Sequence, residues 1–94
     1  MKIRRIIWRT ETIDKLIFKH GVESYEVEEV FRNRPRIRFA EKGEREDEDV
    51  YLALGQSDAG RYLAVYFIYK VSQDALILSA RDMVGRERGQ YGRK

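Results

Sequence analysis

Apolar positions along the 94-residue chain change period several times, and each change marks an element. Residues 2–8 (KIRRIIW) are rich in β-branched and aromatic types and predict a short first strand. From Glu11 onward Ile13, Leu16, Ile17 and His20 fall at helical spacing, which predicts a helix with one buried stripe, Thr10 as its N-cap and Gly21 as a left-handed stop. Ser24 is suited to cap a second helix, with Glu26, Glu28 and Glu29 at the positive end of its dipole and Val27, Val30 and Phe31 on one face. Asn33 and Pro35 end that helix.

The second half reads as strands. Residues 36–40 alternate, residues 50–54 are apolar, and Ser57-Asp58-Ala59-Gly60 makes a hairpin connection into Tyr62–Tyr69. That last run is apolar on both faces, which predicts a central strand covered on both sides. Residues 75–80 give another strand, and the glycine-spaced basic stretch 83–94 predicts a flexible tail or a short, frayed helix. The expected order is β-α-α-β-β-β-β-(α), an α+β fold with two helices on one face of a mainly antiparallel sheet, and 94 residues allow one domain, 1–94.

Composition narrows the chemistry. With no cysteine, disulfides, thiolate metal sites and cysteine nucleophiles are excluded, and a reducing cytoplasm is the expected setting. The apolar patch near the N-terminus is too short for an export signal or a membrane span, so no membrane association is expected. The net charge of +3 is unevenly spread: residues 1–9 and 32–38 carry +4 each and residues 81–94 carry +3, whereas the acidic stretch 41–49 carries −4. A cationic face for a phosphate backbone fits that distribution, and so does ordinary scattered surface charge.

One histidine and no phosphate-binding glycine loop exclude kinases, Rossmann dehydrogenases and P-loop enzymes, and with no His/carboxylate set neither metal nor cofactor is expected. RNA cleavage without a metal needs a base for the 2′-hydroxyl, cations at the phosphate and an acid for the leaving oxygen. His, Arg, Lys, Tyr and Glu supply those roles. His20 also reads as a packed helix residue, and Tyr62, Tyr66 and Tyr69 read as core rather than as stacking platforms.

Five blocks then resemble one known family. Lys19-His20-Gly21-Val22 with Val30-Phe31, Tyr51-Leu52-Ala53-Leu54-Gly55, Asp58-Ala59-Gly60-Arg61, Leu78-Ser79-Ala80-Arg81 and Glu87-Arg88-x-x-Tyr91 are similar, in order, to the motifs of BrnT-type toxins. The resemblance implies a RelE-like fold and a translation-inhibiting ribonuclease of a type II toxin–antitoxin pair, neutralised by a BrnA-type antitoxin. A homo-oligomer or a toxin–antitoxin heterotetramer are the assemblies it allows. Matched residue by residue, it implies catalytic roles for His20, Arg61, Arg81, Glu87, Arg88 and Tyr91, with Arg81 as a phosphate or transition-state clamp; the competing reading of the residues pairs Arg81 with Glu87 or another tail acid. Lys19 matches the first block and, with Arg45, Arg86, Arg93 and Lys94, forms the expected RNA-binding set. Val50 stands where many members carry a cation; if that cation helps catalysis, the expectation is a slow chain, an inactive one, or one reliant on nearby Arg45. A non-catalytic module binding RNA or a protein with the same basic face is the competing function.

Overall fold

The run Tyr62–Tyr69 becomes the middle strand of a five-stranded sheet in the computed structural model, which describes residues 1–92. Along the chain the elements are β1 (Arg5–Ile7), α1 (Thr10–His20), α2 (Ser24–Arg32), β2 (Arg36–Glu41), β3 (Val50–Gln56), β4 (Tyr62–Tyr69), β5 (Asp74–Asp82) and α3 (Gly85–Gly92). The spatial order is β1-β5-β4-β3-β2; β1 pairs with β5 in parallel, and the other pairs are antiparallel. The fold is α+β.

Strand alternation sends one set of side chains to each face of the sheet. Ala53, Leu63, Val65, Phe67, Ile77 and Ala80 meet Leu16, Val22, Val27 and Val30 from α1 and α2, and this is the main core. Phe67 is fully buried, with Phe31 edge-on at 5.2 Å and Tyr51 stacked at 6.0 Å. On the other face a smaller cluster of Leu52, Leu54, Ala64, Met83 and Tyr91 packs against Tyr62 and Tyr66 under α3. So β4 is covered fully on the helical face and at one end only on the other. We call the second the open face.

Three local expectations are corrected. The buried positions of α1 are Thr12 and Leu16, whereas Ile17 and His20 of the expected stripe face solvent, because the helix lies over the sheet margin and buries a narrow strip. Thr10 is the first helical residue, not the cap, and Arg9 precedes it with no capping side chain. Glu23, not Ser24, caps α2, and the Glu26 carboxylate accepts the Glu23 backbone N–H at 3.0 Å. Gly21 ends α1 at φ +60, as its lack of Cβ permits. Gly55 has a different reason to be glycine: a Cβ there would lie 2.9 Å from Val30 Cγ1 and 3.2 Å from Pro35 Cβ, so β3 approaches α2 at backbone distance.

Candidate active site

The hairpin register of β4 and β5 pairs Ala64 with Arg81 and Leu63 with Asp82, so these two neighbouring residues at the exit of β5 project to opposite faces. That divergence splits the candidate residues into two clusters.

On the helical face, Arg61 follows the β3–β4 turn and reaches across to the ends of both helices. Its Nε donates to Asp82 Oδ1 at 2.8 Å, Nη1 to the Gly21 carbonyl at 2.9 Å and to Glu26 at 3.1 Å, and Nη2 to the His20 carbonyl at 3.2 Å and to Asp82 Oδ2 at 3.3 Å. Every N–H of the guanidinium is therefore engaged. Hydrogen bonding to Asp82 raises the Arg61 pKa above its ordinary value, and the same bond lowers that of Asp82. The Glu26 carboxylate serves two ends, capping α2 and holding Arg61. His20 is exposed rather than packed, and its ring lies close enough to Asp82 to help keep that carboxyl ionised. Lys19 beside it is also exposed.

On the open face, Arg81 grips the buried Glu87 with two parallel bonds, Nη1 to Oε1 at 2.7 Å and Nη2 to Oε2 at 2.8 Å. Arg81 also donates to the Tyr66 hydroxyl at 3.2 Å and to the Asp82 carbonyl at 3.3 Å. Glu87 Oε1 accepts the Val84 N–H at 3.0 Å, which fixes the start of α3. Arg81 holds the Glu87 carboxyl below the usual carboxylate range against the opposing effect of burial, and Glu87 in turn raises the Arg81 pKa. Arg81 is thus the ion-pair partner of Glu87, with Nε as its remaining free donor among the described residues.

The other candidates fall into place around this pair. Tyr91 is buried against Tyr62, ring edge to face at 6.1 Å, with its hydroxyl 3.5 Å from Gln56 Oε1. Arg88 is exposed with its guanidinium 4.2 Å over the Tyr62 ring, and Arg86 is exposed on the same helix. Arg45 is in the acidic 42–49 connection, beside the β3 start and the β4 end, whereas Arg81 stands at the opposite end of the sheet. It does not join the cluster. Arg93 and Lys94 lie outside the described residues.

Sequence reasoning missed several neighbours. Beyond the cover of α3, an open groove of about 740 Å³ runs along the open face, with Lys15, Arg38, Leu52, Tyr66 and Ser79 among its walls. Lys15 and Arg38 carry no side-chain hydrogen bond or ion pair among the described residues, and Arg38 is near enough to Glu87 to lower its pKa. Tyr66 is half-buried against the smaller core, and its hydroxyl faces Arg81. The signal was present in the strand period: Tyr66 and Ser79 are paired, two residues from the Ala64–Arg81 pair on the same face. Among the described residues no group of three or more His, Cys, Asp or Glu side chains is placed to hold a metal ion, and no helix is long and apolar enough to cross a membrane.

Comparison with known proteins adds family and fold. Residues 8–87 match the family model described as the ribonuclease toxin BrnT of type II toxin–antitoxin systems. The fold is similar to the crystal structure of the Brucella abortus ribonuclease toxin BrnT, with a TM-score of 0.59 and 21% identity over 85% of this chain and 96% of that one. No curated protein sequence matches the chain.

Proposed function

The chain belongs to the BrnT family of ribonuclease toxins of type II toxin–antitoxin systems, and from that premise we propose that it is a metal-independent endoribonuclease that inhibits translation by cutting RNA laid on the open face. Membership implies an antitoxin partner. The finer reading is a RelE-like fold acting in the cytoplasm on messenger RNA and held by a BrnA-like antitoxin, in a heterotetramer.

The observation that carries this reading is that Tyr66, a wall of the open groove, is also held through its hydroxyl by Arg81 of the Arg81–Glu87 pair. Lys15 and Arg38 at one end and Arg88 and Arg86 at the other offer unpaired cations for successive phosphates, and Tyr66 and Tyr62 lie between them. In this arrangement Arg81 and Glu87 fix the floor of the site and Arg81 Nε addresses the scissile phosphate. Tyr91 supports the platform from below, and Arg61 positions the end of α1. His20 stands on the helical side of the same sheet end, beside Asp82, and for RNA that continues from the open face over that end it is the group left to move a proton from the 2′-hydroxyl or to the leaving oxygen.

The competing reading, a non-catalytic binder, is favoured by the same accounting: Arg61 has no spare donor, while Glu87 and Tyr91 are buried. Purified protein incubated with RNA in excess chelator decides between them. Cleavage that persists in chelator, with RNA bound equally by wild type and His20→Ala but cut at least about 100-fold more slowly by the variant, supports the catalytic reading. Binding without cleavage by wild type overturns it.

A further inference from the structure

The helical face is not sealed along its whole width. Between α2, β2 and the segment leading into β1 lies an open groove of about 900 Å³, whose floor includes Ile3, Phe31, Ile37, Phe39 and Tyr51. Five arginines line it, Arg4, Arg5, Arg32, Arg34 and Arg38, against the single acid Glu28. Arg5 and Arg32 are spent on Asp74 and Asp58, whereas Arg4, Arg34 and Arg38 make no side-chain hydrogen bond or ion pair among the described residues. Phe39 is 55% exposed, held only at its edge by Tyr51 at 6.0 Å. Arg34 sits at φ +55, a conformation costly for a residue with a Cβ, and so directs a cation to the groove mouth where glycine would be easier.

One border of this groove is an open sheet edge. In the order β1-β5-β4-β3-β2 the strand β2 is terminal, with no strand on its outer side among the described residues. Its alternation puts Ile37 and Phe39 on the helical face and Arg36 and Arg38 on the open face. A second copy of the chain would bring these arginines against their own kind, which disfavours self-pairing. A strand whose side chains alternate apolar and acidic matches both faces at once: apolar groups on Ile37 and Phe39, carboxylates on Arg36 and Arg38.

We propose that β2 and the adjoining arginine-rimmed groove are the docking surface for an extended, acidic and apolar segment of the antitoxin, which adds to the sheet as a sixth strand. Nucleic acid is the poorer occupant, because the unpaired edge of β2 offers backbone hydrogen-bonding groups that a peptide strand matches, and the floor rings Phe31, Phe39 and Tyr51 are already engaged with other rings. The same occupant explains neutralisation, since Arg38 also lines the open-face groove and carboxylates placed on it withdraw a cation from RNA. The proposal rests on the toxin–antitoxin reading for the existence of the partner, and not on the catalytic one.

The test uses the full chain and the antitoxin encoded with it, titrated by calorimetry. An Arg4→Glu/Arg34→Glu double variant alters two exposed groove residues, neither of which lines the open-face groove. It is expected to bind at least about 100-fold more weakly than wild type while its melting temperature and its RNA cleavage without antitoxin stay at the wild-type level. Phe18→Asp, on the 89% exposed ring of α1, serves as the control and is expected to bind as wild type does. Double-variant binding within about threefold of wild type, loss of binding in Phe18→Asp alone, or no binding by wild type each overturns the proposal. Intact antitoxin binding by a wild type that cuts no RNA supports this surface and removes the ribonuclease reading instead.

Discussion

Arg61 and Arg81 are two arginine locks at the same end of the sheet, and they do different work. Arg61 clasps four groups from three elements, the His20 and Gly21 carbonyls, Glu26 and Asp82, and spends every donor on them. Arg81 clasps mainly one carboxylate, that of Glu87, and through it a helix of eight residues with little apolar burial beyond Tyr91. The first lock closes a face already filled by a large apolar core; the second holds α3 where packing alone is thin. A guanidinium with all donors spent inside the protein is a structural clamp, while one that keeps a donor free can still meet a ligand.

The largest effect is expected from breaking the first lock. Arg61→Ala leaves Glu26 and two backbone carbonyls without their partner and should cost about 3 kcal/mol, or about 12–24 °C in melting temperature for a domain of this size. Arg61→Lys should recover less than half, because one ammonium does not reproduce the fork. If Arg61→Ala instead leaves the melting temperature unchanged and abolishes cleavage, the two arginines exchange roles. Thermal melts run beside cleavage per folded molecule separate the outcomes.

The second lock is smaller and titrates. Glu87→Gln should lower stability by about 2 kcal/mol at neutral pH, and α3 should lose its amide protection before the sheet does. The pH dependence has a definite sign. Since Arg81 keeps the Glu87 carboxyl below the ordinary 4.5, the unfolded chain takes up the proton first. The contribution is complete above that value and is lost as pH falls through the lowered one. The gap between wild type and Glu87→Gln melting temperatures should therefore hold above pH 4.5 and shrink as pH falls below it. A gap that stays constant would show that the pair does not hold α3.

How much of this was legible follows from how local each cause is. The strands and the two N-terminal helices were readable because apolar period and turn residues act within a few positions: Gly21 ends α1, and Tyr62–Tyr69 is the middle strand. The α1 stripe was misread at Ile17 and His20, since burial depends on how far the sheet extends beneath the helix. The blocks containing Arg61, Arg81 and Glu87 were visible as motifs, yet their division between two faces arises from the register of β4 and β5, which no local pattern states. Lys15, Arg38 and Tyr66 were missed as neighbours for the same reason: their proximity spans three elements.

Gly55 probes the closed face at finer scale. A methyl group there meets Val30 Cγ1 at 2.9 Å and the Pro35 ring at 3.2 Å, and neither neighbour is the free end of a flexible chain. Gly55→Ala should cost about 1–2 kcal/mol by forcing α2 off β3, with cleavage per folded molecule preserved. A neutral substitution would mean that the helical face has more slack than its packing implies.

The smallest effect on stability is expected at Arg88, and it bears most directly on what the open face is for. Its guanidinium lies 4.2 Å over the Tyr62 ring with no carboxylate partner among the described residues. A cation on an exposed ring contributes about 0.5–1 kcal/mol, so Arg88→Ala should barely change the melting temperature. If the open face carries RNA, however, Arg88 neutralises one phosphate, and its loss removes one released counterion. The slope of log affinity against log salt should then fall by about 1, measured by fluorescence anisotropy with a 2′-deoxy oligonucleotide that cannot be cut. Arg88→Lys should restore the slope but not the full affinity, since an ammonium keeps the charge and loses the planar contact with Tyr62. An unchanged slope in Arg88→Ala would place the RNA elsewhere and leave the open face as a support for α3 alone.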